Sequence, residues 1–367
     1  MLTRRQLMAH AGAVAGGAWA FAGSRDTARA DGTVFIGCRG GEGGGYCLSG
    51  IGADGRTRFD MPLPGRGHDV TFHPTRPEAI VFARRPGTFA IRFDCRDGTR
   101  LGEIRAAEGR HFYGHGVFAA DGHILVTTEN EFATGDGRLG IRDPRDGYRL
   151  IGELPSHGIG PHDVMLMPDE RTLAVANGGI RTHPDRDREK LNIADMKPNL
   201  ALIELASGRL VARFELPATL HQLSIRHLDV AADGRIAIAM QYEGGKGDAV
   251  PLIALCDGNG LRCFDESAGL ARAWRHYTGS IAFDTTGRVL GVTAPRGNIV
   301  SFWDCDSGHL LTSARAADVA GIAAARDGFL TTGQKIDSWS AGATASKAWP
   351  VESALHTWDN HLAGGSA

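Results

Sequence analysis

The sequence carries no surplus of charge of either sign: 40 Lys and Arg stand against 42 Asp and Glu, a formal charge of −2 across 367 residues. A nucleic-acid binder needs clustered basic residues to displace counterions, so that class is excluded. After Gly23 no apolar run approaches the roughly 20 residues needed to span a bilayer. The six cysteines form no Cys-x-x-Cys pair and no haem-attachment motif. Nucleophile elbow, phosphate-binding glycine loop and zinc-protease helix motifs are all missing. Gly40–Gly45 is rich in glycine but sits inside a hairpin and leads into a strand, not a helix, so it is no phosphate cradle. What the chain does have is 51 Gly and 15 His. The glycines point to many turns, since aliphatic residues stay plentiful.

The N-terminus reads as an address that must be removed before the fold is considered. Thr3-Arg4-Arg5-Gln6-Leu7-Met8 has the twin-arginine export pattern, a weakly apolar stretch runs from Ala9 to Gly23, and Ala28-Arg29-Ala30 offers small residues for cleavage before Asp31. Residues 1–30 are therefore expected to be a twin-arginine signal peptide and residues 31–367 the mature domain. This predicts a bacterial periplasmic protein, exported already folded, with no membrane span in its mature form. That compartment permits disulfides. Cys38 and Cys47 flank one turn and Cys256 and Cys263 another, while Cys95 and Cys305 sit in the matching phrases Asp94-Cys95-Arg96-Asp97-Gly98 and Asp304-Cys305-Asp306-Ser307-Gly308. All six are expected to be disulfides or buried thiols, not metal ligands.

The mature chain repeats itself. His68-Asp69-Val70-Thr71-Phe72, His115-Gly116-Val117-Phe118, His162-Asp163-Val164-Met165-Leu166 and His227-Leu228-Asp229-Val230 each open a short apolar run. A turn follows (Asp121-Gly122, Pro168-Asp169, Asp233-Gly234), then a β-branched run, a polar loop, and a third run ending in Asp97-Gly98, Asp146-Gly147, Ser207-Gly208, Asp257-Gly258 or Ser307-Gly308. A fourth run leads to the next unit. Four short strands per unit is the pattern of a β-propeller blade. Weaker units begin at Ser280 and Gly321, and a charged insertion at Arg181–Asn199 reads as a surface loop. The segments around Val34, Tyr46 and Phe59 supply three strands of a further blade, and Trp358-Asp359-Asn360-His361-Leu362 supplies its missing first one. The expected fold is all-β: one seven-bladed propeller of WD or YVTN type, closed by a C-terminal inner strand that completes the N-terminal blade, and expected to be a monomer. Closure of this kind removes open sheet edges.

In such a fold the aligned histidines stand where each inner strand begins, at the top of the central channel. His68, His115, His162, His227 and His361 form an expected inner ring. A second set, His111, His157, His221, His276 and His356, precedes it by a few residues. Ten of the fourteen histidines beyond residue 30 thus fall at these junctions. One reading is structural: the repeat copies an imidazole that bonds within its blade. The other is a metal site, because neutral imidazole suits copper, iron, nickel and zinc. A His-lined acceptor for an anion is a third. Loops after the second strands add rim candidates: Arg84, Arg85, Glu129, Glu131, Asn177, His183, Gln241 and Glu243. His73, His123 and His309 are read as ordinary histidines.

The phrase from Gly160-Pro161-His162-Asp163 through Ala176-Asn177-Gly178-Gly179-Ile180 to Thr182-His183-Pro184, with Leu191-Asn192 and Met196 beyond it, resembles a bacterial family of exported propellers known as domain of unknown function 1513. Family members tend to be encoded near imelysin-like iron-regulated and di-haem oxidoreductase-like proteins. The resemblance implies partners among periplasmic iron-uptake or redox proteins and a role in iron or copper handling. It supplies no catalytic residues. A looser architectural likeness is to nitrous-oxide reductase, whose propeller mouth gathers histidines around copper. That activity is not expected here, since the chain has no cupredoxin domain. Three functions are therefore expected, in this order: a non-enzymatic binder of copper or iron, or of a metal-handling partner; a metal-dependent periplasmic oxidoreductase; and a metal-free interaction scaffold.

Overall fold

The computed structural model describes residues 33–40, 44–52, 54–85, 87–186, 189–340, 347–349 and 357–366. The expected signal peptide and His356 lie outside them. Seven four-stranded antiparallel sheets form the seven blades. Their inner strands are Gly67–Phe72, Arg110–Phe118, Pro161–Leu166, Leu223–Val230, Ser280–Phe283, Ile322–Ala325 and Trp358–Ser366, taken as blades 1 to 7. In blades 1 to 6 the four strands follow one another in sequence. Blade 7 is completed across the chain: Trp358–Ser366 pairs antiparallel with Thr33–Gly40, in register from Thr33 opposite Ser366 to Gly37 opposite Leu362 and, past a bulge, with Arg39 opposite Trp358. No described helix is long and apolar enough to cross a membrane.

The burial of each strand follows from its place in the blade. Second strands are covered on both faces by neighbouring blades, so Glu78–Ala83 is buried at every position and reads as a continuous run. Outer strands face solvent on one side and alternate, as in Leu210–Glu215 and Leu310–Arg315. Aromatic side chains fill the seams: Trp274 and Trp303 meet edge to face at 6.0 Å, and Phe302 and Phe329 lie 5.3 Å apart. The turn after the third strand of blade 1 needs a residue with positive φ, which Gly98 supplies at +76°.

Among its described residues, the insertion after the second strand of blade 3 carries two single turns, Pro184–Arg186 and Ile193–Asp195. It is tied down across three blades. Asn192 Nδ2 donates to Gly179 O at 2.9 Å, Asn130 Nδ2 of blade 2 to Thr182 O at 3.1 Å, and Lys190 pairs with Glu243 of blade 4. All six cysteines are free thiols, and Cys38, Cys95, Cys256 and Cys305 are buried. Cys38 stands opposite Leu48 and Cys47 opposite Arg39. This one-residue offset puts the two thiols on opposite faces of the sheet and prevents the disulfide that their hairpin spacing suggests.

Candidate functional site

Five inner strands carry a β-bulge, and they are the five that carry a ring histidine. In blade 1 the pairing jumps from Gly67–Ala83 to Val70–Val81, so His68 and Asp69 face a single residue. Comparable jumps fall at Phe112/Gly116, Pro161/Asp163 and Ile225/His227, and residues 359–361 face one residue of the strand beside them. Blades 5 and 6, which have Ser280 and Gly321 in place of His, show no register shift in their inner pairs. A bulge adds a residue and re-aims a side chain. Here it turns each imidazole toward the channel axis while keeping the strand in its sheet.

The result is one compact cluster. Ring centroids of His68 and His361 lie 4.6 Å apart, His115 and His361 4.7 Å, His162 and His227 4.7 Å, and His227 and His361 4.4 Å. Relative exposure is 2% for His68, 1% for His115 and 2% for His227. Two triads, His115/His227/His361 and His68/His115/His162, each place one nitrogen per residue within 4.8 Å of the others. Two nitrogens bound to one ion at about 2.0–2.1 Å stand at most about 4.2 Å apart, so binding an ion would draw the nitrogens of either triad closer together.

Three aspartates orient the cluster, each reaching from one blade to the next. His68 Nδ1 donates to Asp359 Oδ1 at 2.7 Å, and the same carboxylate takes Arg66 Nε at 2.6 Å and Arg84 Nη1 at 2.9 Å. His115 Nδ1 lies 3.2 Å from both Asp69 and Asp163. The second oxygen of Asp163 accepts the Leu228 N–H at 2.9 Å, which ties blade 3 to blade 4. Carboxylates on the Nδ1 side leave Nε2 to face the cluster, the arrangement that orients metal-ligating histidines elsewhere. His115 Nε2, His227 Nδ1 and His361 Nε2 are all buried without a hydrogen-bond partner. Such orphaned polar atoms are rare in folded proteins, and these three belong to one triad.

Burial pushes His68, His162 and His227 well below the usual imidazole range, and His361 also falls. For His115 burial acts in the same direction, but Asp163 and Asp69 outweigh it and lift the group to about 10. Without a metal, the ring at neutral pH is therefore one imidazolium held by two carboxylates among neutral imidazoles. An ion at His115 must displace a proton.

The other sequence candidates are dispersed. His111 Nδ1 bonds Phe112 O, His157 Nε2 bonds Gly208 O, His221 Nδ1 bonds Ala218 O and His276 Nε2 bonds Asp248 O, all at 2.8–3.0 Å. Each imidazole fastens a backbone segment and none joins the ring. Glu129 is fully buried inside blade 2, 2.8 Å from Arg142, and not on the rim. Asn177 is buried and donates to Ser156 O and Asn199 Oδ1. His183 lies on the insertion beside Asp185 and Phe132. Arg84 and Gln241 do reach the channel mouth, Gln241 by accepting Arg226 Nη2 at 3.0 Å. Sequence reasoning passed over Asp69, Asp163, Asp359 and Arg226, although each stands within two residues of a ring histidine.

The sequence matches the family described as "Protein of unknown function (DUF1513)" over residues 61–365. The chain belongs to the DUF1513 family. No curated protein matches this DUF1513 chain. Among solved structures it is similar to hydrazine synthase of Kuenenia stuttgartiensis, with a TM-score of 0.59 and 13% identity over 78% of this chain and 86% of that one. At that identity the likeness carries the propeller fold alone.

Proposed function

We propose that this DUF1513 propeller is a periplasmic binder of a transition-metal ion, held in the histidine ring by His115, His227 and His361 with His68 and His162 as the adjoining pair. The observation that carries this reading is the set of three buried imidazole nitrogens that meet with no partner among them. All-imidazole donors suit copper and iron alike, and the aspartates behind His68 and His115 supply the orienting contacts such sites use. Iron or copper handling alongside periplasmic uptake or redox proteins is the physiological role we assign. The three carboxylates beside the ring are engaged by imidazole, guanidinium or backbone N–H donors, and we favour binding over catalysis.

One observation favours the metal-free scaffold instead. His115, raised to about 10, can serve as a buried cation that clamps blades 1, 2 and 3 through Asp69 and Asp163. Elemental mass spectrometry decides between them. Protein recovered from the periplasm, or stripped and reloaded with Cu(II) or Fe(II), should hold at least one ion per chain, and a His227→Leu, His361→Leu double variant should hold none. A wild-type protein that takes up neither metal overturns the proposal.

A further inference from the structure

Beside the ring lies a small vestibule whose guanidinium and phenol groups the metal reading does not use. Its floor is His68 and His162, and its walls are Arg84, Arg85, Arg226, Tyr113, Tyr277 and Asn360. No acidic residue lines it. Asp359, just behind the wall, is already engaged by Arg66, Arg84 and His68.

Arg226 is the informative group. Its Nη2 donates to a neutral amide, Gln241 Oε1, and its Nε is shut off from solvent with no hydrogen-bond partner. Glu243 favours the Arg226 cation from nearby but is itself paired with Lys190, so the guanidinium keeps a buried donor that an anion would complete. The hydroxyls point to the same need. Tyr277 Oη accepts from Asn360 Nδ2, which leaves its own O–H as a donor. The nearest partner of Tyr113 Oη is Thr182 Oγ1, at 3.5 Å, the outer limit of a hydrogen bond. Guanidinium and phenol donors thus line a pocket from which carboxylates are missing.

We infer that the vestibule is a binding subsite for a small oxyanion of a few heavy atoms, such as a carboxylate or an inorganic oxyanion, held by Arg226 and the two tyrosine hydroxyls against His68 and His162. Peptides and nucleotides are excluded by its small volume. The subsite stands without a metal, yet its floor is two residues of the ring, so an anion there would lie beside any bound ion.

The test separates the two claims by using chelator-stripped protein in chloride-free buffer. Formate, nitrite, carbonate and phosphate are titrated by calorimetry and by thermal melting. At least one should bind saturably and raise the melting temperature, and Arg226→Gln should weaken it tenfold or more. Tyr277→Phe, which keeps the ring packing, should weaken it several-fold and guards against a misfolded arginine variant. If none of the four anions binds, or if both variants bind as tightly as the wild type, the inference is wrong. Anion binding by a protein that never takes up metal would leave the subsite standing and remove only the metal proposal.

Discussion

His227→Leu distinguishes an imidazole kept for a ligand from one kept for the fold. Leucine is close to histidine in volume and cannot coordinate. In the stripped protein the substitution removes Nδ1, a buried polar atom with no partner, whose desolvation costs about 1–3 kcal/mol. The variant should therefore be as stable as the wild type or more stable by up to about that amount, whereas loss of an imidazole that bonds within its blade would cost a similar figure. With metal the order reverses. A ligand at 100 times its dissociation constant stabilises the folded state by about 2.7 kcal/mol, or roughly 5 °C at about 2 °C per kcal/mol for a domain of this size. Wild-type protein should show that shift and the variant should lose most of it. Differential scanning calorimetry with and without Cu(II) reads both. An equal shift in the two proteins, or a stripped variant weakened by several kcal/mol, would refute the reasoning.

Three further outcomes are expected. Gly114 has φ +110°, and a Cβ there would stand 2.5 Å from His68 Cδ2, so Gly114→Ala should cost roughly 1–3 kcal/mol in denaturant melts and displace the His68 ring, lowering metal content. Glu78 joins blade 1 to blade 2 by accepting Arg92 Nε at 2.7 Å and Tyr148 Oη at 2.8 Å. Burial alone would raise its carboxyl, but these bonds carry it below the usual range; its stabilisation is complete above the unfolded carboxyl range and is lost as pH falls through the folded value. Glu78→Gln should therefore cost about 1.5–3 kcal/mol at pH 7 and flatten the acid limb of the stability profile in urea titrations. Finally, unreduced protein unfolded in guanidinium should release six titratable thiols per chain, and a smaller number would indicate a disulfide.

The repeat made most of the architecture legible. Short apolar runs ending in Asp-Gly or Ser-Gly marked the strands, and the lone phrase at Trp358 revealed the closure. The site was legible only in part, because a bulge leaves no mark in an apolar pattern. Nothing in Gly67-His68-Asp69-Val70 announces that two residues face one, yet that extra residue aims the imidazole. The rim was misjudged for a related reason. Second strands were ended where polar residues began, but Leu125–Glu131, Thr172–Asn177 and Ile236–Tyr242 run on through them. Glu129 pairs with Arg142 and Asn177 with Asn199, so polarity there marks a buried cross-strand bond, not a loop. The second histidine set stands out because it recurs; its varying offset is the signal that His111, His157, His221 and His276 each answer to their own local backbone.

Closure by the Trp358–Ser366 strand also sets a clock on the site. Asp359 and the His68 it orients are separated by 291 residues, about 15 to 60 s of synthesis at 5–20 residues per second. Until the final strand docks, His68 lacks its carboxylate and His361 is missing from the ring. A nascent or truncated chain therefore cannot present the finished cluster, and the five-histidine ring exists only once the whole propeller has closed.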